Sequence, residues 1–151
     1  MTHDRVRSLR HEMINRGYSV WFDEDRLLLG TNIDLTLAHG IIDAAAVCVC
    51  VTRAYLEKIN KQEQNDACVK ELKLAHLLNK RILPLIMESS MLDIKQWPWG
   101  VASMYLANMF YIDASGDDMS AIADDLCARL RMLGMAPRRR RQQCIRTIIR
   151  I

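Results

Sequence analysis

No apolar run in the sequence approaches the ~20 residues of a membrane-spanning helix, so no membrane partner is expected. The opening residues Met1-Thr2-His3-Asp4-Arg5 carry charge and no hydrophobic stretch follows them, so no secretory leader is expected. Five cysteines, Cys48, Cys50, Cys68, Cys127 and Cys144, form an odd set without a C-x-x-C pair. They do not make a disulfide framework, and a reducing cytoplasm is the expected compartment. His3, His11, His39 and His76 show neither H-x-x-x-H nor H-E-x-x-H spacing, so no metal is expected. There is no G-x-G-x-x-G or Walker glycine loop to cradle phosphates, and no internal repeat.

What is present is one domain's worth of chain: 151 residues, half of them hydrophobic and 26% charged. The net charge of +3 conceals an asymmetry, because no acid follows Asp125 and the segment after Gly134 holds six arginines (138–141, 146 and 150). Removing those six leaves +3 − 6 = −3 for the rest. A nucleic-acid-binding domain spreads cations over a folded face, so no specific nucleic-acid partner is expected. Arg138–Arg141 has the composition of an import or anionic-surface segment, and the plainer reading is a solvated basic tail. The expected division is a folded domain at 1–134 and a basic C-terminal tail at 135–151.

Along the chain, Val6, Leu9 and Met13 recur at helical spacing before an Arg16-Gly17 stop. Tyr18 to Phe22 reads as a strand. Thr31 or Asn32 is placed to cap a helix carrying Ile33, Leu37 and Ile41. Ala44 to Val51 alternates valine with cysteine and holds no charge, which is what a parallel sheet covered on both faces demands. Tyr55–Asn60 is a short helix, and Asn65 or Asp66 caps another to about Asn79. Arg81–Met87 is a strand whose Pro84 predicts an edge position or a bulge. Trp97-Pro98-Trp99-Gly100 reads as a turn whose indoles cover the sheet edge. Met109–Ile112 is a short strand, and Asp117–Leu133 is a helix with Met119, Ile122, Leu126, Leu130 and Leu133 on its apolar side. Alternating helices and strands predict an open, doubly wound parallel α/β sheet.

Four segments resemble the Toll/interleukin-1 receptor (TIR) domain family. Gly17-Tyr18-Ser19-Val20-Trp21-Phe22-Asp23, with Leu27, Gly30, Ile33 and Ile41, is similar to its second strand, BB loop and second helix. Val47–Thr52 with Tyr55 resembles the third strand and the step after it. Asn65-Asp66-Ala67-Cys68-Val69-Lys70-Glu71-Leu72 resembles the "WC-x-x-EL" helix, with Ala67 where many members carry tryptophan. Arg81–Met87 resembles the "ILPI" strand. The likeness runs from about Asp4 to Leu133 and implies a flavodoxin-like fold. The family's N-terminal strand and its following loop are missing, and in that order the missing strand is central. Its loss leaves two strands with unpaired edges mid-sheet, at about 1–3 kcal/mol for each unsatisfied backbone group. The chain is then either an incomplete product or its gap is filled by something else; Cys144–Ile151, rich in isoleucine, is a candidate strand for that slot.

Glu71 stands out by periodicity. Asp66, Lys70, Lys73 and Lys80 share one polar sector of their helix, whereas Glu71 sits with Ala67, Cys68, Ala75 and Leu78. A carboxylate in an uncharged stripe points into a cleft or is paired inside, where desolvation raises its pKa; the plainer reading is a first-turn glutamate favoured by the helix dipole. The resemblance implies that Glu71 is the catalytic residue of an NAD⁺ nucleosidase, stabilising an oxocarbenium-like ribose as nicotinamide leaves. It also implies that the loop from Asp23 to Gly30 gates the nucleotide cleft, with Asp23, Arg26 and Gly30 at the nucleotide, and joins TIR domains through Leu27, Leu28 and Leu29. The missing first strand and loop belong to the family's nucleotide pocket and count against catalysis by this chain. The primary expectation is therefore a cytoplasmic signalling module acting through association with other TIR domains. It requires no cofactor, and NAD⁺ is the substrate in the alternative.

Overall fold

The computed structural model describes residues 2–21, 33–137 and 144–148, the last as backbone. Helix α1 (Thr2–Asn15) buries Val6, Leu9 and Met13, as its spacing predicts, and Gly17 turns the chain at φ +89° into strand β1 (Ser19–Trp21). Helix α2 (Ile33–Asp43) leads to β2 (Ala46–Val51), in which all six residues are buried. Thr52 caps α3 (Arg53–Lys61), its hydroxyl accepting from the Tyr55 amide at 3.1 Å. Asp66 caps α4 (Ala67–Leu77), accepting from the amides of Cys68 at 2.8 Å and Val69 at 3.3 Å. Strand β3 (Arg81–Ile86), two 3-10 turns (Ser89–Leu92 and Ile94–Gln96) and helix α5 (Val101–Leu106) follow. The short β4 (Ile112–Asp113) precedes α6 (Met119–Met132), capped by Asp118, and β5 (Cys144–Ile148) is last in sequence.

The described strands make one parallel sheet in the order β1-β5-β2-β3-β4. From β1 to β2, β3 and β4 the chain advances one way across the sheet, with α2 to α5 on one face. From β4 it returns to β5, so a right-handed crossover must place α6 on the other face. There it packs against α1. The two cores follow strand alternation. Cys48 and Cys50 face α1 and α6 with Val6, Met13, Leu126 and Leu130, while Val47, Val49 and Val51 face Tyr55, Leu56, Val69 and Leu72.

Strand β5 corrects the expected domain division. It sits in the central slot, pairing Ser19 with Cys144, Val20 with Ile145 and Trp21 with Arg146 on one side. On the other side Val47, Cys48 and Val49 pair with Arg146, Thr147 and Ile148. Part of the segment after 134 is thus the middle of the sheet, not a tail. The isoleucine-rich 144–151 segment is the sequence's candidate for that slot, whereas the four arginines before it suggest a tail.

Other expectations are corrected too. Strand β3 is internal and unbulged, with Pro84 opposite Val49. The Met87 amide donates to the Val51 carbonyl, and the Ala114 amide donates to the Ile86 carbonyl. Odd positions of β3 therefore bond toward β2 and even ones toward β4. Pro84 faces β4 where that strand has not begun, since pairing there starts at Leu85 with Ile112. The missing donor costs no ladder bond. The Met109–Ile112 strand shrinks to Ile112–Asp113. Met132, at the end of α6, is 78% exposed. Of the two indoles, Trp97 is buried and donates to the Met91 carbonyl at 2.8 Å, whereas Trp99 is 98% exposed.

Trp99 is held outward by Asn60, whose amide donates to the Pro98 and Trp99 carbonyls and whose Oδ1 accepts from the Ala102 amide at 2.9 Å. Gly100 adopts φ +154°, and a Cβ there would lie 2.3 Å from Asn60 Cγ. Gly100→Ala is expected to lower stability by about 2–4 kcal/mol, because it combines backbone strain with loss of this clamp. Urea unfolding of the variant measures it.

Burial pushes the Cys50 thiol well above its ordinary range. The fold favours the neutral thiol. Its contribution to stability is complete below the unfolded-state value of about 9 and is lost as pH rises from there toward the folded-state value. Native Cys48, Cys50, Cys68 and Cys127, all buried, should therefore resist a disulfide reagent near pH ~8 and react after unfolding. The Tm should fall above about pH 9, and fall less in Cys50→Ala.

Candidate functional site

Helix α4 descends from the carboxyl edge of the sheet to the start of β3. Its 11 residues span about 16 Å, so Glu71, in the second turn, lies toward the carboxyl edge. In open α/β sheets that edge is where ligands bind. Glu71 is 2% exposed; with Thr52 it makes up the buried polar and charged set among the described residues. It shares the inner face of α4 with Cys68, Leu72 and Ala75, while Lys73 is exposed and Lys70 half-buried. The periodicity argument therefore places this carboxylate correctly, inside and apart from the polar sector. Lys80 leaves that sector to cap α2: its ammonium donates to the carbonyls of Ile42 at 2.6 Å and Ala44 at 3.0 Å.

The other expected site residues, Asp23, Arg26, Gly30, Leu27, Leu28 and Leu29, lie outside the described residues. No group of three or more histidine, cysteine or carboxylate side chains suited to a metal occurs among the described residues. Nor is any described helix long and apolar enough to cross a membrane.

Two features escaped the sequence because their parts are far apart in the chain. Arg5, in the first turn of α1, donates to the carbonyls of Met87 at 3.1 Å, Ala114 and Gly116 at 2.7 Å, tying α1 to the carboxyl ends of β3 and β4. At the opposite edge, a cleft of about 270 Å³ opens beside the start of β3. Lys80, Arg81 and Arg129 supply its charge, with no acid among the described lining residues; Ile82, Met109, Phe110 and Leu133 supply its apolar surface. Arg129 lies over the Phe110 ring at 5.0 Å, and that ring is 78% exposed. Tyr111 and Met132, both solvent-exposed, continue the surface past Arg129. Nothing local in residues 80–82, 109–110 or 129–133 signals this convergence.

A model of the TIR domain matches residues 2–135. The chain belongs to the TIR domain family. No curated protein and no solved structure matches it. As a TIR domain it is a signalling-type module with a flavodoxin-like α/β fold, and such domains in general associate with one another. The family match ends at Met135, whereas the sheet of this TIR domain is completed by residues 144–148.

Proposed function

We propose that this TIR domain acts in the cytoplasm by associating with other TIR domains, its own copies included, to transmit a signal. The observation that carries the reading is the cleft at Lys80, Arg81 and Arg129 with its exposed Phe110. A monomeric surface seldom leaves large apolar side chains together beside clustered positive charge. Its complement is written in the sequence: Asp23-Glu24-Asp25 followed by Leu27-Leu28-Leu29, acids and then apolar residues in one short stretch. Carboxylates on Arg81 and Arg129 would orient the contact while leucines cover Phe110. Sedimentation velocity over a concentration series tests this. Arg81→Glu with Arg129→Glu should weaken self-association by about 10–100-fold, as should Leu28→Asp, with no change in Tm. Unchanged association in both variants rejects the reading.

The burial of Glu71 favours a second reading, cleavage of NAD⁺. The C–N bond between ribose and nicotinamide breaks with its electron pair going to nicotinamide. The cationic ribose carbon is stabilised by the Glu71 carboxylate and captured by water or by an adenine nitrogen. Asp23, Arg26 and Gly30 are the residues assigned to the nucleotide, NAD⁺ being substrate and not resident cofactor. What supports this is the placement of one inward carboxylate toward the carboxyl edge of the sheet.

A further inference from the structure

We propose that this TIR domain docks on an anionic lipid surface through the amino-terminal edge of its sheet. Trp21, Arg146, Val47 and Ile82 stand in one row across four parallel strands, so those strands begin at a common level. Helices that connect parallel strands run back against them, so α1, α2, α4, α5 and α6 each deliver the chain to this edge ahead of a strand. All five junctions expose a large apolar side chain: Ile14, Ile42, Leu77, Phe110 and Met132, each between 46% and 78% exposed. The junctions also touch one another. The Lys80 ammonium donates to the Ile42 and Ala44 carbonyls, joining the end of α2 to the link into β3. The basic cleft joins that link to Phe110 and Arg129, and the Tyr18 hydroxyl donates to the Met135 carbonyl, joining the link after α6 to the start of β1.

Charge identifies the occupant. Arg16, Lys80, Arg81, Arg129 and Arg131 stand at the same edge. Among the described residues of those last turns and links, the acids are Glu12, ion-paired with Arg16, and Asp43. The edge is therefore net positive. Its apolar tips are not gathered into one groove but spread along a five-stranded edge about 20 Å wide, with basic groups between them. A rigid protein partner needs a matched recess for each tip. A bilayer interface yields to separate side chains and offers anionic headgroups to the cations. Such a contact needs no membrane-length helix, and none of the described helices is one. Three of the tips, Ile14, Ile42 and Leu77, lie outside the cleft proposed for association.

Co-sedimentation of the full chain with phosphatidylcholine vesicles, with and without phosphatidylserine, tests this. The parent chain should bind the vesicles containing phosphatidylserine at least about 10-fold more tightly, and lose that preference at high salt. Ile14→Ser, Ile42→Ser and Leu77→Ser together should weaken binding by about 10-fold or more with the Tm unchanged, and Arg131→Glu by about 5–30-fold. Trp99→Ser, which removes an equally exposed side chain beyond the other end of α5, should bind as the parent does. No binding to vesicles with phosphatidylserine, or equal binding by the parent and the triple variant, overturns the proposal. Sedimentation velocity of the triple variant should still show self-association. Self-association without vesicle binding overturns lipid docking alone, and vesicle binding without self-association overturns the association reading alone.

Discussion

Arg146→Pro is expected to abolish the cooperative unfolding transition of this TIR domain. Arg146 is the residue of β5 that registers with both neighbours, Trp21 of β1 and Val47 of β2. Proline there removes a ladder donor in the middle of a sheet and displaces the strand, a position where it is not tolerated. Ending the chain at Pro137 goes further, baring the facing edges of β1 and β2. Each buried N–H or C=O left without a partner costs about 1–3 kcal/mol, so a handful exceeds the roughly 5–15 kcal/mol that holds a domain together. Both variants should show little native near-ultraviolet dichroism and no thermal midpoint. Arg146→Thr, which keeps the backbone bonds, should melt cooperatively. A cooperative melt in the truncated chain would show that 144–148 is dispensable to the fold.

The second large effect concerns Glu71. Glu71→Gln keeps the shape of a side chain that is 2% exposed and removes its charge. Nicotinamide release from NAD⁺ should fall by about 100-fold or more, because a neutral amide cannot stabilise the cationic ribose carbon. The Tm should change little, and Glu71→Asp should restore part of the rate. Equal nicotinamide release by Glu71→Gln and the parent chain would remove this residue from the chemistry. If the parent chain releases none, the association function stands alone.

Much of this molecule is legible in its sequence because the informative signals are local. The Val–Cys alternation of 46–51 marks a strand buried on both faces, since neighbouring residues of a strand point opposite ways. Asp66 and Asp118 mark helix starts because a short carboxylate reaches the next amides. Glu71 is identifiable as an inward acid because helical geometry places it with Cys68 and Ala75 instead of with the lysines.

Other features depend on distant residues meeting, and periodicity does not encode distance. The exposure of Trp99 depends on Asn60, some forty positions earlier. Pro84 looked like an edge marker, yet β3 is internal. Only the short reach of β4 makes its missing donor harmless. The basic cleft joins residues 80–83 to 109–110 and 129–133. Local patterning was enough for most of the elements, the family and the inward acid, though not for the bounds of the strand at Ile112. Composition made Cys144–Ile151 a candidate for the central slot, but only the fold could choose it, because pairing is satisfied by whichever segment reaches the slot.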